Sequence, residues 1–157
     1  MSSSPSTTPD PVAVVDQLYK QLREQAEEMR DQFFQRALAL QVDKKGHVPI
    51  GIAVLEPSEN SFAAYWVRIF ISAQGRSVRT INKGIGFKYP VGAFSFVKQP
   101  LKGLVRAYEM ELATLRQLAS ENRALRKSLQ AHHGKVTRQV TQASFRSLAE
   151  VPDARSE

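Results

Sequence analysis

The chain has 157 residues and 42% hydrophobic content, which is enough for one folded domain with its own core. It contains no cysteine, which excludes disulfide bonds and cysteine-based zinc sites. Its formal charge of +7 makes an acidic partner the first expectation. Since the sequence shows neither a signal-peptide pattern nor an apolar run of about 18 residues, we expect a cytoplasmic protein that does not span a membrane.

The first predicted element is a long amphipathic helix. Residues 1–11 are rich in Ser, Thr and Pro and predict a disordered arm. Apolar residues then recur at steps of three and four across residues 12–45, the spacing of one helical face. Asp10 before Pro11 supplies an N-cap, and Gly46 after two lysines supplies a C-terminal stop.

Residues 46–99 change to β-branched and aromatic residues separated by turn residues, and they predict two to four antiparallel strands. The strongest strand covers Phe62–Ala73, and Arg76–Asn82 pairs back on it as a hairpin. We expect one face of the strong strand to be the core face, with Ala63, Tyr65, Val67, Ile69 and Ile71. The predicted outward face carries Trp66, Arg68 and Phe70.

Positive charge is concentrated between Ser61 and Arg106, which enclose eight basic residues and no Asp or Glu. This local +8 exceeds the charge of the whole chain, whereas an ordinary solvated surface mixes both signs. Since affinity for nucleic acid grows with the number of phosphates neutralised, the segment predicts a DNA surface on a basic β-ribbon. The predicted DNA-binding residues are Arg68, Arg76, Arg79, Lys83, Lys88, Lys98 and Lys102. The alternative is the basic outer face of an ordinary sheet, or a patch for an acidic protein or membrane surface.

The segment Lys83–Pro90 contains two glycines between two lysines, which is compatible with a phosphate-contacting loop or with a simple turn. Its spacing matches neither a Walker loop nor a dinucleotide fingerprint. Trp66, Phe87 and Tyr89 are the candidates for stacking on bases, and burial beneath a helix is the alternative for the aromatic residues of this loop.

A second long helix is predicted over residues 100–133, followed by a flexible tail over 134–157. Apolar residues in it follow the seven-residue repeat of a coiled coil, although Glu111 interrupts the seam. The predicted dimerisation residues are Leu101, Leu104, Tyr108, Leu115, Leu118, Asn122, Leu125 and Leu129. The alternative is antiparallel packing on the first helix of the same chain. The predicted fold is α+β, with a helix at each end of a small antiparallel sheet that carries the basic hairpin.

Catalysis finds little support in the sequence. The basic segment holds no carboxylate, and His47, His132 and His133 do not form a cluster with other ligands. We therefore expect a protein that is not an enzyme and that has no cofactor and no metal site.

Several of these features occur together in one known family. The strand with Tyr65–Arg68, the return to Arg79–Gly84, the loop Gly86–Pro90 and a following helix rich in Leu, Glu and Arg resemble MobI-like conjugative transfer proteins over roughly residues 60–120. The resemblance implies a relaxosome accessory factor that acts at the transfer origin of a mobile element and helps a separate relaxase, without being a nuclease.

Three functions are compatible with these features. The first is a non-enzymatic, homodimeric DNA-binding accessory factor for conjugative mobilisation, with a relaxase or another transfer protein as partner. The second is a dimeric DNA-binding transcriptional regulator of a mobile element. The third is a helical scaffold whose basic sheet docks an acidic protein.

Overall fold

The structure is a computed structural model that describes residues 10–41 and 47–149, with side chains as far as Arg146. Two long helices pack together against a three-stranded antiparallel sheet, so the predicted α+β fold is confirmed. In chain order the elements are α1 (Pro11–Leu40), β1 (Ile50–Ser58), β2 (Ser61–Ser72), β3 (Gly75–Thr80), a 3-10 turn (Val91–Phe94) and α2 (Leu101–Ala149). Residues 1–9 of the predicted disordered arm lie outside the described residues.

Helix α1 begins as the sequence predicts. The Asp10 carboxylate accepts a hydrogen bond from the Val12 backbone amide at 3.1 Å, and proline occupies the first helical turn. The helix ends at Leu40, short of the predicted end at residue 45, and the Gln41 amide closes its last turn. The predicted glycine stop lies outside the described residues.

The sheet is a meander in the order β1–β2–β3. Its two turns each need a backbone conformation with positive φ, which Asn60 adopts at 58° and Gly75 at 117°. The predicted hairpin is confirmed as β2 paired with β3. Strand β1 runs to Ser58, with irregular pairing after Leu55.

The predicted core face of β2 is wrong. Trp66 is fully buried, and it shares its face with the buried residues Phe62 and Ala64, which pack against the helices. Val67 and Ile69 of the other face are buried as well, and their side chains lie beside Gly51 of the neighbouring strand. Apolar residues therefore occupy both faces of β2, and counting them could not identify the face beneath the helices.

Helices α1 and α2 run antiparallel and form the second layer of the core. Phe33 of α1 meets Trp66 edge-on, with ring centroids 5.0 Å apart, and meets Tyr108 of α2 at 5.4 Å. At the other end of the helix pair, the side-chain amide of Asn122 donates to the Val15 backbone carbonyl at 3.2 Å. The seven-residue repeat of α2 is thus used within the chain along this stretch.

Helix α2 does not end at Gly134, and the residues predicted as a flexible tail continue it to Ala149. A single glycine in a helix interior costs only about 1 kcal/mol relative to alanine, so a glycine alone does not end a long helix. Residues 150–157 lie outside the described residues.

Candidate nucleic-acid interface

The most distinctive charged feature is a pair of arginines on the hairpin. Arg68 of β2 and Arg79 of β3 are direct cross-strand partners, and both are exposed. Their guanidinium carbons lie 4.9 Å and 5.3 Å from the centre of the Phe70 ring, and that of Arg68 lies 4.2 Å from the centre of the Phe96 ring. We call Arg68 and Arg79 the hairpin arginine pair.

The hairpin arginine pair is a local concentration of uncompensated charge. Like charges directly opposite each other in a sheet are destabilising, and no acidic side chain among the described residues forms an ion pair with either arginine. The aromatic rings offset part of this cost, since an exposed cation over a ring gains about 0.5–1 kcal/mol. The rings also hold the two guanidinium groups on one face, where a bound anion could accept hydrogen bonds from both.

Two further predicted DNA-binding residues lie close in the chain to Phe96, the ring that Arg68 contacts. Lys98 and Lys102 follow Phe96 in the chain, and the Lys102 amide donates to the Lys98 carbonyl at 3.0 Å in the turn that leads into α2. Arg76 does not join them. Three positions before Arg79 in a strand, Arg76 projects from the opposite face of the sheet.

The remaining predicted residues, Lys83 and Lys88, lie in a separate loop after β3. Its glycines, Gly84 and Gly86, both have positive φ, and the Lys83 ammonium donates to the Gly86 carbonyl. Lys88 and Arg106 of α2 line the same cavity of about 470 Å³. The structure therefore divides the predicted basic residues among the face with the hairpin arginine pair, the opposite sheet face at Arg76, and this loop.

The stacking predictions for Trp66 and Tyr89 are wrong. Trp66 is fully buried in the core, and Tyr89 is 6% exposed with its ring 5.6 Å from that of Phe94. Neither ring face is accessible to a base. Phe87 is 40% exposed and stays a candidate for stacking.

Tyr89 has a structural task that the sequence did not reveal. Beyond the end of β3, one edge of β2 has no partner strand within the described residues, and the Trp66 backbone amide there donates to the Tyr89 hydroxyl at 3.0 Å. Arg116 of α2 completes the edge, because its Nε donates to the Ala64 carbonyl at 2.7 Å. Burial raises the pKa of the Tyr89 phenol, so the hydroxyl stays protonated.

Arg116 is itself held by a buried ion pair with Glu109. The same guanidinium donates to the Phe87 carbonyl at 2.8 Å and lies 4.9 Å from the centre of the Tyr89 ring. The pair thus joins α2, the unpaired edge of β2 and the Lys83–Pro90 loop. Its only sequence signal is a spacing of seven residues, which places Glu109 and Arg116 on one helical face.

A second polar cluster fixes α1 to the end of β1. Glu56 accepts hydrogen bonds from the Tyr19 hydroxyl and from Arg23, each at 2.6 Å. The bond from Tyr19, followed by that from Arg23, lowers the pKa of the Glu56 carboxyl. Burial, with the hydrogen bond to Glu56, raises the pKa of Tyr19 to about 12.

The predicted dimerisation residues divide into two sets. Leu101, Tyr108 and Leu115 are buried in the core of the single chain, and Leu104 packs against that core. The structure therefore contradicts their assignment to an interface between chains, since α1 and the sheet already cover them. Leu118 and Leu125 are 43% and 49% exposed, and Leu129 and Asn122 are half-buried.

Two other features are absent from the described part of the chain. Residues 10–41 and 47–149 contain no group of three or more His, Asp or Glu side chains placed to hold a metal ion. Within the same residues, neither long helix has a stretch apolar enough to cross a membrane.

Fold and site together define an α+β protein in which two antiparallel helices support a meander sheet with a basic hairpin. Residues 22–130 match the model of the family described as MobI protein, and this match covers more than two thirds of the chain. The chain therefore belongs to the MobI family, and it is a mobilisation-related protein. No curated protein and no solved structure matches it.

Proposed function

We propose that this protein is a non-enzymatic DNA-binding accessory factor that acts at a transfer origin and assists a relaxase in conjugative mobilisation. The observation that carries the proposal is the hairpin arginine pair, two exposed cations held over Phe70 with no acidic partner among the described residues. Membership of the MobI family supports the link to mobilisation.

The geometry of the hairpin favours duplex DNA as the anion. A two-stranded ribbon fits the major groove, which is about 12 Å wide, and arginine forms two hydrogen bonds with guanine or with phosphate. Lys98 and Lys102 lie next to Phe96, where they would contact flanking phosphates. In this arrangement, Arg68 and Arg79 read the site while the lysines position the protein on it.

The protein acts on DNA as a dimer in this proposal. The surface available for the contact is an apolar groove of about 390 Å³ between the helices, which includes Leu18, Leu118 and Leu125. Substituting Leu118 and Leu125 by lysine would leave the intrachain core intact and shift the protein from dimer to monomer in sedimentation analysis. A wild-type protein that sediments as a monomer at every concentration would remove the dimer from the proposal.

Competition binding tests the DNA part of the proposal. A labelled duplex of about 30–40 base pairs from the transfer origin would be compared with a scrambled duplex of the same composition, at about 50 and 200 mM salt. We expect binding to the origin duplex to resist random competitor and to weaken steeply with salt. Absence of binding to either duplex at the lower salt would contradict the proposal and favour the scaffold function.

Two further assays separate the accessory factor from the other possibilities. The accessory factor increases nicking of a supercoiled origin plasmid by the cognate relaxase and does not nick it alone. A transcriptional regulator would instead change expression from a reporter promoter and leave relaxase nicking unaltered. Nicking by the purified protein alone would show that it is an enzyme.

A further inference from the structure

A second basic segment, far from the hairpin, lies at the C-terminal end of α2. From Asn122 to Ala149 the helix contains six basic residues and no Asp or Glu. We call residues 123–149 the α2 extension. Such a stretch is unusual on a solvated helix, where acidic and basic residues normally alternate at helical spacing.

The α2 extension projects beyond the helix that supports the rest of α2. Helix α1 starts at Pro11, and its first turns are bound to α2 by two hydrogen bonds. The Asn122 side chain donates to the Val15 carbonyl, and the Arg126 guanidinium donates to the Asp16 carboxylate. With a rise of about 1.5 Å per residue, the extension is about 40 Å long, and its C-terminal half passes the start of α1.

Four of the basic residues form a single stripe. At about 100° per residue, Arg123, Lys127, Lys135 and Arg138 fall within an arc of about 120°. All four are exposed, and none of them forms an ion pair within the described residues. Arg126 lies outside the stripe and differs from it, because Asp16 accepts its hydrogen bond at 2.5 Å.

The face of the extension opposite the stripe is apolar, and its position shows which way the stripe points. Leu129 and Val136 line a cavity of about 650 Å³ together with Pro11 and Val12 at the start of α1. The apolar side of the extension thus faces α1. The stripe of cations consequently faces solvent, with no acidic surface of the described chain opposite it.

We propose that the stripe of Arg123, Lys127, Lys135 and Arg138 is a second DNA-binding surface, which contacts backbone phosphates without reading sequence. The proposal rests on the proposed function, since it gives the same ligand a second contact. The stripe spans about 22 Å, which corresponds to about six phosphates along one strand at 3.4 Å each. The hairpin lies towards the N-terminal end of α2, where Arg68 meets Phe96, so the two surfaces hold separate parts of a duplex.

An anionic membrane is the competing ligand for a basic helix, and the composition of the extension disfavours it. Helices that lie in a membrane interface bury a continuous face of large apolar residues. In the α2 extension, Leu129 and Val136 face α1. Among the described side chains of the extension, the only exposed aromatic residue is Phe145. Cationic side chains contact DNA phosphates without inserting apolar residues into the ligand, so DNA fits the composition of the extension better than a membrane does.

Matched charge removals test the second surface. The extension variant K127Q/R138Q and the control variant K20Q/R30Q each remove two cations from a helix, so their net charges are equal. Each phosphate contact contributes about 0.9 to the slope of log affinity against log salt. We expect the extension variant to lower this slope by about 2 on origin and scrambled duplexes alike, and the control to leave it unchanged.

The outcomes distinguish failure of this proposal from failure of the proposed function. If the wild-type protein binds DNA and the extension variant binds as the control does, the second surface is wrong and the hairpin surface stands. If the wild-type protein binds no DNA, both proposals fail. If the extension variant loses binding only to phosphatidylserine vesicles, the extension is a membrane contact and the proposal is overturned.

Site-directed DNA cleavage gives an independent measurement. The chain contains no cysteine, so Q142C can carry a single iron chelate on the extension, and K20C can carry the same label on α1. We expect the Q142C conjugate to cut bound duplex in a defined window and the K20C conjugate to cut weakly. Equal cutting by both conjugates would contradict the placement of DNA along the extension.

Discussion

Arg68 and Arg79 lie directly opposite each other in the β2–β3 hairpin, and both guanidinium groups lie over the ring of Phe70. Like charges on opposite strands destabilise the fold, and no acidic side chain among the described residues pairs with either arginine. Binding of an anion between them would remove the repulsion and would use the orientation that the rings impose.

Replacing Tyr89 by phenylalanine tests whether this residue is structural. The change removes the acceptor of the buried Trp66 amide, and an unsatisfied buried donor costs about 1–3 kcal/mol. We expect denaturant unfolding to show a loss in that range, with DNA affinity per folded molecule unchanged. Weaker DNA binding at unaltered stability would instead show that Tyr89 contacts the nucleic acid.

Removal of the Glu109 carboxylate by substitution with alanine tests the buried ion pair. Arg116 would keep its bonds to Ala64 and Phe87 but would become an uncompensated buried charge, which typically costs about 3–5 kcal/mol. We expect a large fall in the free energy of unfolding. The control R30A removes an exposed cation and should change stability by less than about 0.5 kcal/mol. Equal effects of the two substitutions would contradict the account of this pair.

Substituting Gly134 by alanine tests the continuity of α2. An added methyl group would meet no neighbouring atom within 4 Å, and alanine in a helix interior is favoured over glycine by about 1 kcal/mol. We therefore expect greater helical circular dichroism and slower amide exchange in the α2 extension. If the helix ended at this glycine, the substitution would leave exchange beyond it unchanged.

The pH dependence of stability tests the Glu56 cluster. The pKa of Glu56 is lower in the folded chain than its ordinary value of 4.5, so its stabilising contribution is present above that value and is lost as the pH falls through the folded pKa. We expect the melting temperature to fall on acidification from about pH 6 to about pH 3, and E56Q to show a smaller fall. An identical fall in both proteins would exclude Glu56 as a contributor.

Element types and their order could be predicted from the sequence because each long element has a clear period. The three and four residue steps of α1, its Asp10 cap and the small-residue turns of the sheet are local signals, and the structure bears them out. The match to the MobI family likewise extends the resemblance first indicated by residues 60–120 to most of α1 and α2.

Features that depend on contacts distant in the chain could not be predicted. Which face of β2 meets the helices is decided by how Trp66 fits between Phe33 and Phe94, and both faces carry apolar residues. The role of Arg116 depends on a strand edge that lies 52 positions away in sequence. A heptad pattern, likewise, indicates an apolar seam without indicating whether the partner helix is in the same chain.

The measurement that tests the central claim most directly is the salt dependence of DNA binding by R68Q/R79Q, beside the wild-type protein and the control K20Q/R30Q. We expect the double variant to remain folded with stability within about 0.5 kcal/mol of wild type, because relief of repulsion offsets the loss of ring contacts. Its slope of log affinity against log salt should fall by about 2, and its preference for the origin duplex should disappear. A variant that binds DNA with the wild-type slope and preference would contradict the claim that the hairpin arginine pair is the recognition surface.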